Sequence, residues 1–208
     1  MRACFGCANG VGGLIQPREL QHLFRVSKLE FWVAMVAMVG VLAFGILKGV
    51  LLAAIFSILL LLQRASHPRI AVLGRLPGTD RFADSLRHPD CRPVPLVLTL
   101  RVESGLFYFN VQNAMHQILR YLGRSNRTEL LILDLSTSAN IDLAGVRMLR
   151  DLQAQVAGEG TSLALAEVHG QVRDLLQAEQ LETIPGVSQR TRIASFIEQR
   201  EQLIRAAG

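Results

Sequence analysis

The stretch FWVAMVAMVGVLAFGILKGVLLAAIFSILLLL, Phe31 to Leu62, carries one formal charge, Lys48. A run so long and so apolar exceeds the needs of a globular core helix, and a bilayer is the natural solvent for its side chains. As one helix it would extend about 48 Å at about 1.5 Å per residue, against a hydrocarbon core of about 30 Å. A break relieves the mismatch. Gly45, Lys48 and Gly49 lie at the middle, where a charge in a single span would sit deepest and cost roughly 2.5–3.5 kcal/mol. Placed in a turn, the Lys48 ammonium reaches water. The expectation is a transmembrane helical hairpin over residues 31–64, turning at Gly45, Lys48 and Gly49, with arms Phe31 to Leu47 and Gly49 to Leu62. Arms this short call for neighbours, and small residues such as Ala37 and Gly40 would let other helices approach closely.

Outward from the run, the flanks are basic: Arg18, Arg25 and Lys28 precede it, and Arg64 and Arg69 follow it. Under the positive-inside rule both outer ends face the cytoplasm. Trp32 fits an interfacial anchor. Residues 1–30 form an N-terminal segment in which Pro17, Leu20, Leu23, Phe24 and Val26 predict a short amphipathic helix along the cytoplasmic face.

Downstream the pattern changes to alternating strand and helix. Residues 65–93 read as a linker with a first strand, Ile70 to Leu73, followed by a loop rich in Gly, Pro and Asp that runs through Pro95. Residues 94–208 read as the domain core. Leu96, Leu98, Leu100 and Val102 alternate with more polar neighbours, which predicts a strand with one buried face. Ser104-Gly105 then predicts a turn into a second strand, Leu106 to Phe109, as a hairpin. Asn110 is placed to cap a helix with Val111, Ala114, Met115, Ile118 and Leu122 on its apolar face, ended by Gly123. Leu130 to Leu135 is a continuous apolar strand covered on both faces. A helix from Asp142 is expected to bury Leu143, Val146, Leu149, Leu152 and Val156 before Gly158. A strand over Ser162 to Ala166 follows, then a helix marked by Val172, Leu175, Leu176 and Leu181 and a last one marked by Ile193, Phe196, Ile197 and Ile204. The fold class is α/β: a mixed sheet flanked by helices, with parallel pairs and right-handed crossovers, preceded by the transmembrane hairpin.

Polar chemistry collects in one place, the segment from Asp134 to Gly145 between the central strand and its following helix. Loops at strand C-termini and helix N-termini are where such sheets meet ligands and partners. Asp134, Ser136, Thr137, Ser138, Asp142 and Gly145 are therefore the candidate partner-binding residues. The plainer alternative makes Asp142 an N-cap and the hydroxyls turn residues. No nucleophile with a base is recognisable, so no catalytic role is expected.

Cys4, Cys7 and Cys91 form no even secretory framework, and His22, His67, His88, His116 and His169 are scattered. No metal and no cofactor is expected. Asn126-Arg127-Thr128 matches a glycosylation sequon but lacks a secretory context. The net charge of +5 is spread without a basic stripe interleaved with aromatics, which argues against nucleic acid, and no nucleic-acid partner is expected.

Several of these residues resemble a known family. Arg18-Glu19-Leu20, Leu29-Glu30-Phe31-Trp32, the apolar run ending Arg64-Ala65-Ser66-His67-Pro68-Arg69, and Val72-Leu73-Gly74-Arg75-Leu76-Pro77-Gly78-Thr79 are similar to the C-terminal end of sulfate permease (SulP) anion transporters. Leu106-Phe107-Tyr108-Phe109-Asn110, Leu133-Asp134-Leu135-Ser136, Ile141-Asp142-Leu143-Ala144-Gly145 and Val168-His169-Gly170 resemble the STAS domain that follows their last membrane helix. The resemblance implies an inner (plasma) membrane, multi-pass location, the last two transmembrane helices in Phe31 to Leu62, and a cytoplasmic STAS domain with assembly and regulatory roles. Stand-alone STAS proteins, the anti-sigma factor antagonists, are phosphorylated on a serine just before the motif glycine, a position occupied here by Ala144.

The resemblance implies an anion site built from upstream broken helices, which this sequence does not contain. The expected function is thus the C-terminal portion of a secondary active sulfate transporter, without its substrate-binding core. The expected partners are the lipid bilayer and either the remaining transporter spans or another copy. The alternative is a membrane-tethered STAS signalling or scaffold protein.

Overall fold

A computed structural model describes residues 28–125 and 127–207. The amphipathic helix expected near Pro17 to Val26, Cys4, Cys7, His22 and the Asn126 sequon position lie outside the described residues. The chain divides into two compact units, residues 1–64 and 65–208.

In the first unit, helix α1 (Lys28–Phe44) and helix α2 (Ile46–Ala65) are separated by Gly45 alone, whose φ of 82° is left-handed. Only glycine adopts that conformation without a Cβ penalty, and it ends α1 in a single residue. The Gly45 amide still donates to Val41 O at 3.0 Å, and the Gly49 amide already donates to Gly45 O at 2.9 Å. Gly40 and Gly49 are buried against each other: a Cβ built on Gly40 would lie 3.5 Å from Gly49 Cα, and one on Gly49 would lie 2.5 Å from Val41 Cα. In one straight helix these two glycines would stand about 13.5 Å apart, so the chain folds back on itself.

The expected turn is corrected in its extent. Gly45 makes it by itself, while Lys48 and Gly49 belong to the first turn of α2. A single left-handed residue suffices for the reversal, and Gly49 is required by backbone crowding at Val41 rather than by turn geometry. Lys48 remains exposed just beyond the bend. The arms are 17 and 20 residues long, and α2 is long and apolar enough to cross a membrane. Large apolar side chains such as Leu42, Leu47 (85% exposed), Leu51 and Leu61 project outward around both helices, a distribution that suits lipid or further helices rather than water.

The second unit is a five-stranded sheet of order β2-β1-β3-β4-β5, comprising β1 (Ile70–Arg75), β2 (Phe82–Asp84), β3 (Val97–Val102), β4 (Leu130–Asp134) and β5 (Ser162–Ala166). β1 pairs antiparallel with β2 and β3, while β3, β4 and β5 run parallel. The parallel strands are joined through α3 (Val111–Arg124) and α4 (Leu143–Gly158); α5 (Gly170–Ala178) and α6 (Ile193–Ala207) follow β5. Strand alternation divides the core into two layers. Ile70, Leu100, Val102, Leu131 and Leu133 face one cluster with apolar residues of α3, α4 and α5. Ala71, Leu73, Ile132, Ala164 and Ala166 face the other with Ile193, Phe196 and Ile197 of α6.

Several expectations change. Leu106 to Phe109 is not a hairpin strand: Leu106 makes a single parallel bridge to Ile141, and the residues after it turn directly into α3. The partners of β3 are β1 and β4. Asn110 does not cap α3 through its side chain, and the helix runs past Gly123 to Arg124. Leu143 is 42% exposed rather than buried. The short edge strand β2 also interrupts the segment expected to be a loop.

The residues joining α2 to β1 are built into the second unit. Asn113 Nδ2 donates to Ser66 O at 2.7 Å, and Gln117 Nε2 donates to Pro68 O at 3.0 Å. Arg69 pairs with Asp84 at 2.9 Å and with Glu103 at 3.3 Å.

Candidate functional site

The six expected residues gather where β3 and β4 end. Register opposes Arg101 to Asp134 on neighbouring parallel strands, and Arg101 Nε donates to Asp134 Oδ2 at 2.7 Å. Asp134 is 1% exposed. Its other oxygen accepts the Ser136 amide at 2.9 Å, so one buried carboxylate joins a strand cation to the start of the loop. This double use compensates the desolvation of the charge.

The hydroxyls that follow are spent on backbone carbonyls. Thr137 Oγ1 donates to Val102 O at 2.7 Å, and the fully buried Ser138 Oγ lies 3.0 Å from Val102 O and 2.6 Å from Ser104 O. They fasten the β4–α4 loop to the end of β3, satisfying carbonyls that no strand pairs there. Beyond them, Leu106 N donates to Asn140 O and Asp142 N to Leu106 O.

Asp142 is the N-cap of α4. One carboxylate oxygen accepts the Gly145 amide at 2.9 Å and the other accepts the Tyr108 amide at 2.7 Å. The negative charge suits the helix N-terminus. Gly145 is required by contact: a Cβ there would meet Ile141 Cγ2 at 2.5 Å and Leu106 O at 2.8 Å. Asn110 completes the brace, its Oδ1 accepting the Phe107 amide and its Nδ2 donating to Gly105 O, both at 2.9 Å. The turn thus held carries three rings, of which Tyr108 is exposed and Phe107 and Phe109 are half-buried. Phe107 and Phe109 stack at 5.6 Å, and Tyr108 meets Phe109 edge-on at 5.5 Å.

On the α6 side of the same strand ends is a cleft of roughly 570 Å³, lined by Arg101, Asp134, Ser136, Glu167, Arg190 and Arg192 among others. Arg190 pairs with Glu167 at 2.7 Å. His169 Nε2 lies 2.8 Å from Ser136 O and ties the start of α5 to the loop. Among the described residues no group of three His, Cys, Asp or Glu could hold a metal ion.

Sequence reasoning singled out the loop but missed Arg101, Asn110 as a brace, Tyr108 and His169. Arg101 had a readable signal, since it is a cation on a strand position otherwise flanked by apolar residues. Asn110 braces its own turn through the Phe107 amide and Gly105 O, whereas Tyr108 and His169 depend on contacts with segments more than thirty residues away.

Residues 88–194, just over half of the chain, match the model of the STAS domain. Sulfate transporter 1.3 of Arabidopsis thaliana is 30% identical over 76% of this chain and 26% of its own length. The low affinity sulfate transporter 3 of Stylosanthes hamata is 29% identical over 77% of this chain and 27% of its own length. The chain thus spans about a quarter of the curated relatives it matches. The murine Solute Carrier 26 family member A9 anion transporter, in its inward-facing state, superposes with a TM-score of 0.71 at 22% identity, over 83% of this chain and 27% of that one, a likeness of fold. A mixed sheet with helices on both faces, the loop anchored by Asp134 and Asp142, and the sequence match together show that this chain belongs to the STAS domain family, with sulfate transporters among its relatives.

Proposed function

We propose that the chain supplies the C-terminal membrane hairpin and cytoplasmic STAS domain of a secondary active inorganic anion transporter of the sulfate class, the anion path itself being formed by other membrane helices. The observation that carries this reading is the reach of the sequence likeness. A match covering 76% of the chain cannot be contained in the STAS region and the short tail after it, and so extends upstream into α2. A freely diffusing STAS protein would have no reason to share an apolar helix with transporters.

In this reading α1 and α2 are the last two spans, both ends of the hairpin face the cytoplasm of a cell whose inner (plasma) membrane holds the protein, and Lys48 marks the opposite side. The basic flanks Arg64 and Arg69 support that orientation. The domain's role is regulatory and assembly-related rather than enzymatic: the Asp134 to Gly145 loop commits most of its polar groups to internal bonds and offers partners, whether the remaining transporter spans or another copy, its exposed residues Thr137, Ala139 and Asn140.

Topology mapping tests the proposal. With Cys4, Cys7 and Cys91 changed to Ser, Lys48→Cys should react with an impermeant thiol reagent added to intact cells, and Arg69→Cys only after permeabilisation. Labelling of both from the same side refutes the hairpin. Sulfate uptake by liposomes containing this chain alone should not exceed that of empty liposomes; robust uptake would refute the absence of an anion path from it.

A further inference from the structure

Arg75, the last residue of β1, and Arg92 form an isolated antiparallel bridge in which each amide donates to the other's carbonyl at 2.9 Å. Such a pair holds its Cα atoms about 5.5 Å apart and sends both side chains to one face. Two guanidinium groups therefore stand side by side, an arrangement that by itself opposes folding. The approach is close. A Cβ on Gly74 would meet Cys91 Cβ at 2.8 Å and Arg92 O at 3.2 Å, so the glycine is what lets Cys91 and Arg92 lie against the strand.

The turn from Leu76 to Arg81 closes another side. Leu76 N donates to Arg81 O at 2.9 Å, Thr79 N to Leu76 O at 3.2 Å and Arg81 N to Thr79 Oγ1 at 3.3 Å, with Gly78 at a left-handed φ of 72°. Arg75 is fixed to this turn: its Nε donates to Thr79 O at 3.1 Å and one terminal nitrogen donates to Asp80. Its other terminal nitrogen, and the whole Arg92 guanidinium, have no partner among the described residues. The two arginines, Asp80 and the turn line a cleft of roughly 470 Å³. Asp80 neutralises one cation and leaves the other uncompensated. Leu76 and Pro77 supply the apolar side chains of the lining, too little surface to hold a large organic body.

We propose that this cleft binds a tetrahedral oxyanion, sulfate or phosphate, between the Arg75 and Arg92 guanidiniums. A guanidinium fork takes two oxygens at a time; a tetrahedral anion has enough for two forks, whereas a carboxylate satisfies one. Arg75 is already oriented by Thr79 O and Asp80, so little ordering is lost at that side chain on binding. The anion supplies the negative charge that the paired cations lack, and Asp80 is the lining group that opposes it. Every lining residue belongs to the second unit, so the site requires nothing of the helical hairpin and goes beyond the transport reading.

The full chain, carrying isotope-labelled arginine and solubilised in an uncharged detergent, provides the test. Sodium sulfate or sodium phosphate replaces sodium chloride at constant ionic strength while the arginine Nε–Hε resonances are followed. The expected result is saturable movement of the Arg75 and Arg92 signals, assigned from the Arg75→Lys and Arg92→Gln spectra, with the other arginines moving little. The anion that saturates them at the lower concentration is the ligand. Arg92→Gln should weaken binding, read at Arg75, by about tenfold or more. Because this variant removes a like-charge neighbour, its urea midpoint should not fall; a fall would overturn the like-charge contact on which the site rests. Asp80→Asn keeps an oxygen for Arg75 and removes the opposing charge, so it should tighten binding about two- to fivefold, a gain that damage to the fold cannot produce. Absent or non-saturating movement of the two signals, binding unchanged in Arg92→Gln, or binding not tightened in Asp80→Asn overturns the inference and leaves the transport reading standing.

Discussion

Replacing Arg101 by Met should cost the STAS domain about 3 kcal/mol. The figure follows from the surroundings of Asp134, which is nearly inaccessible to water and has two partners, Arg101 Nε at 2.7 Å and the Ser136 amide at 2.9 Å. Removing one member of a buried ion pair typically costs about 3–5 kcal/mol, because the other charge stays desolvated. Arg101 is itself 27% exposed, so water can enter the space it vacates and the low end of that range applies. With a denaturant slope of about 2 kcal/mol per molar urea, the unfolding midpoint should fall by about 1.5 M. The assay is urea unfolding of the detergent-solubilised chain followed by far-UV circular dichroism, with α1 and α2 contributing a steady background. The second half of the cycle is diagnostic: Arg101→Met combined with Asp134→Asn should recover about 1–2 kcal/mol, because the amide leaves no orphaned charge and its oxygen still accepts from Ser136. A midpoint that moves by less than about 0.3 M in the single variant, or no recovery in the double variant, would refute the claim that the ion pair anchors the loop.

Further outcomes follow from individual contacts. Asp142→Ala should destabilise the domain by about 1–2 kcal/mol through loss of the cap, and hydrogen exchange should show lost protection at the Gly145 and Tyr108 amides together, since one carboxylate serves both. Gly186→Ala meets a φ of 94° and a Cβ aimed at Leu165 O; a loss of about 3 kcal/mol or more is expected, with faster exchange at the Leu165 amide that Pro185 O now accepts. Gly49→Leu cannot coexist with Val41 at its present distance, so cells producing it should lose the labelling asymmetry between Lys48→Cys and Arg69→Cys; unchanged asymmetry would show that the helices reverse without this contact.

How much of this was legible before folding depends on the range of the interaction involved. β3, β4 and β5 were readable because period-two alternation and continuous apolar runs record burial directly, and Asp142 was readable because capping is a local relation between a carboxylate and an amide three residues on. The Leu106 to Phe109 segment misled because its composition is that of a strand, whereas its backbone is held by Asn110, Asp142 and Asn140, two of them more than thirty residues away. Arg101 and Asp134 become partners only when β3 and β4 align in register, which no spacing in the chain reveals. β2 is three residues long and owes its existence to pairing with β1. In the hairpin, Gly45, Lys48 and Gly49 looked equivalent as breakers; the difference is that Gly45 alone takes a left-handed φ, while Gly49 answers to a neighbour eight residues back.

The hold of Asn113 and Gln117 on the carbonyls of Ser66 and Pro68 bears on where this molecule can be cut. A fragment begun at Ile70, the first strand residue, would discard backbone that two side-chain amides need as acceptors and would strip Arg69 from Asp84 and Glu103. One begun at Ser66 keeps all of these. Anyone excising the soluble half, grafting it onto a different membrane anchor or inserting a spacer should therefore place the junction before Ser66, at the very end of the apolar helix.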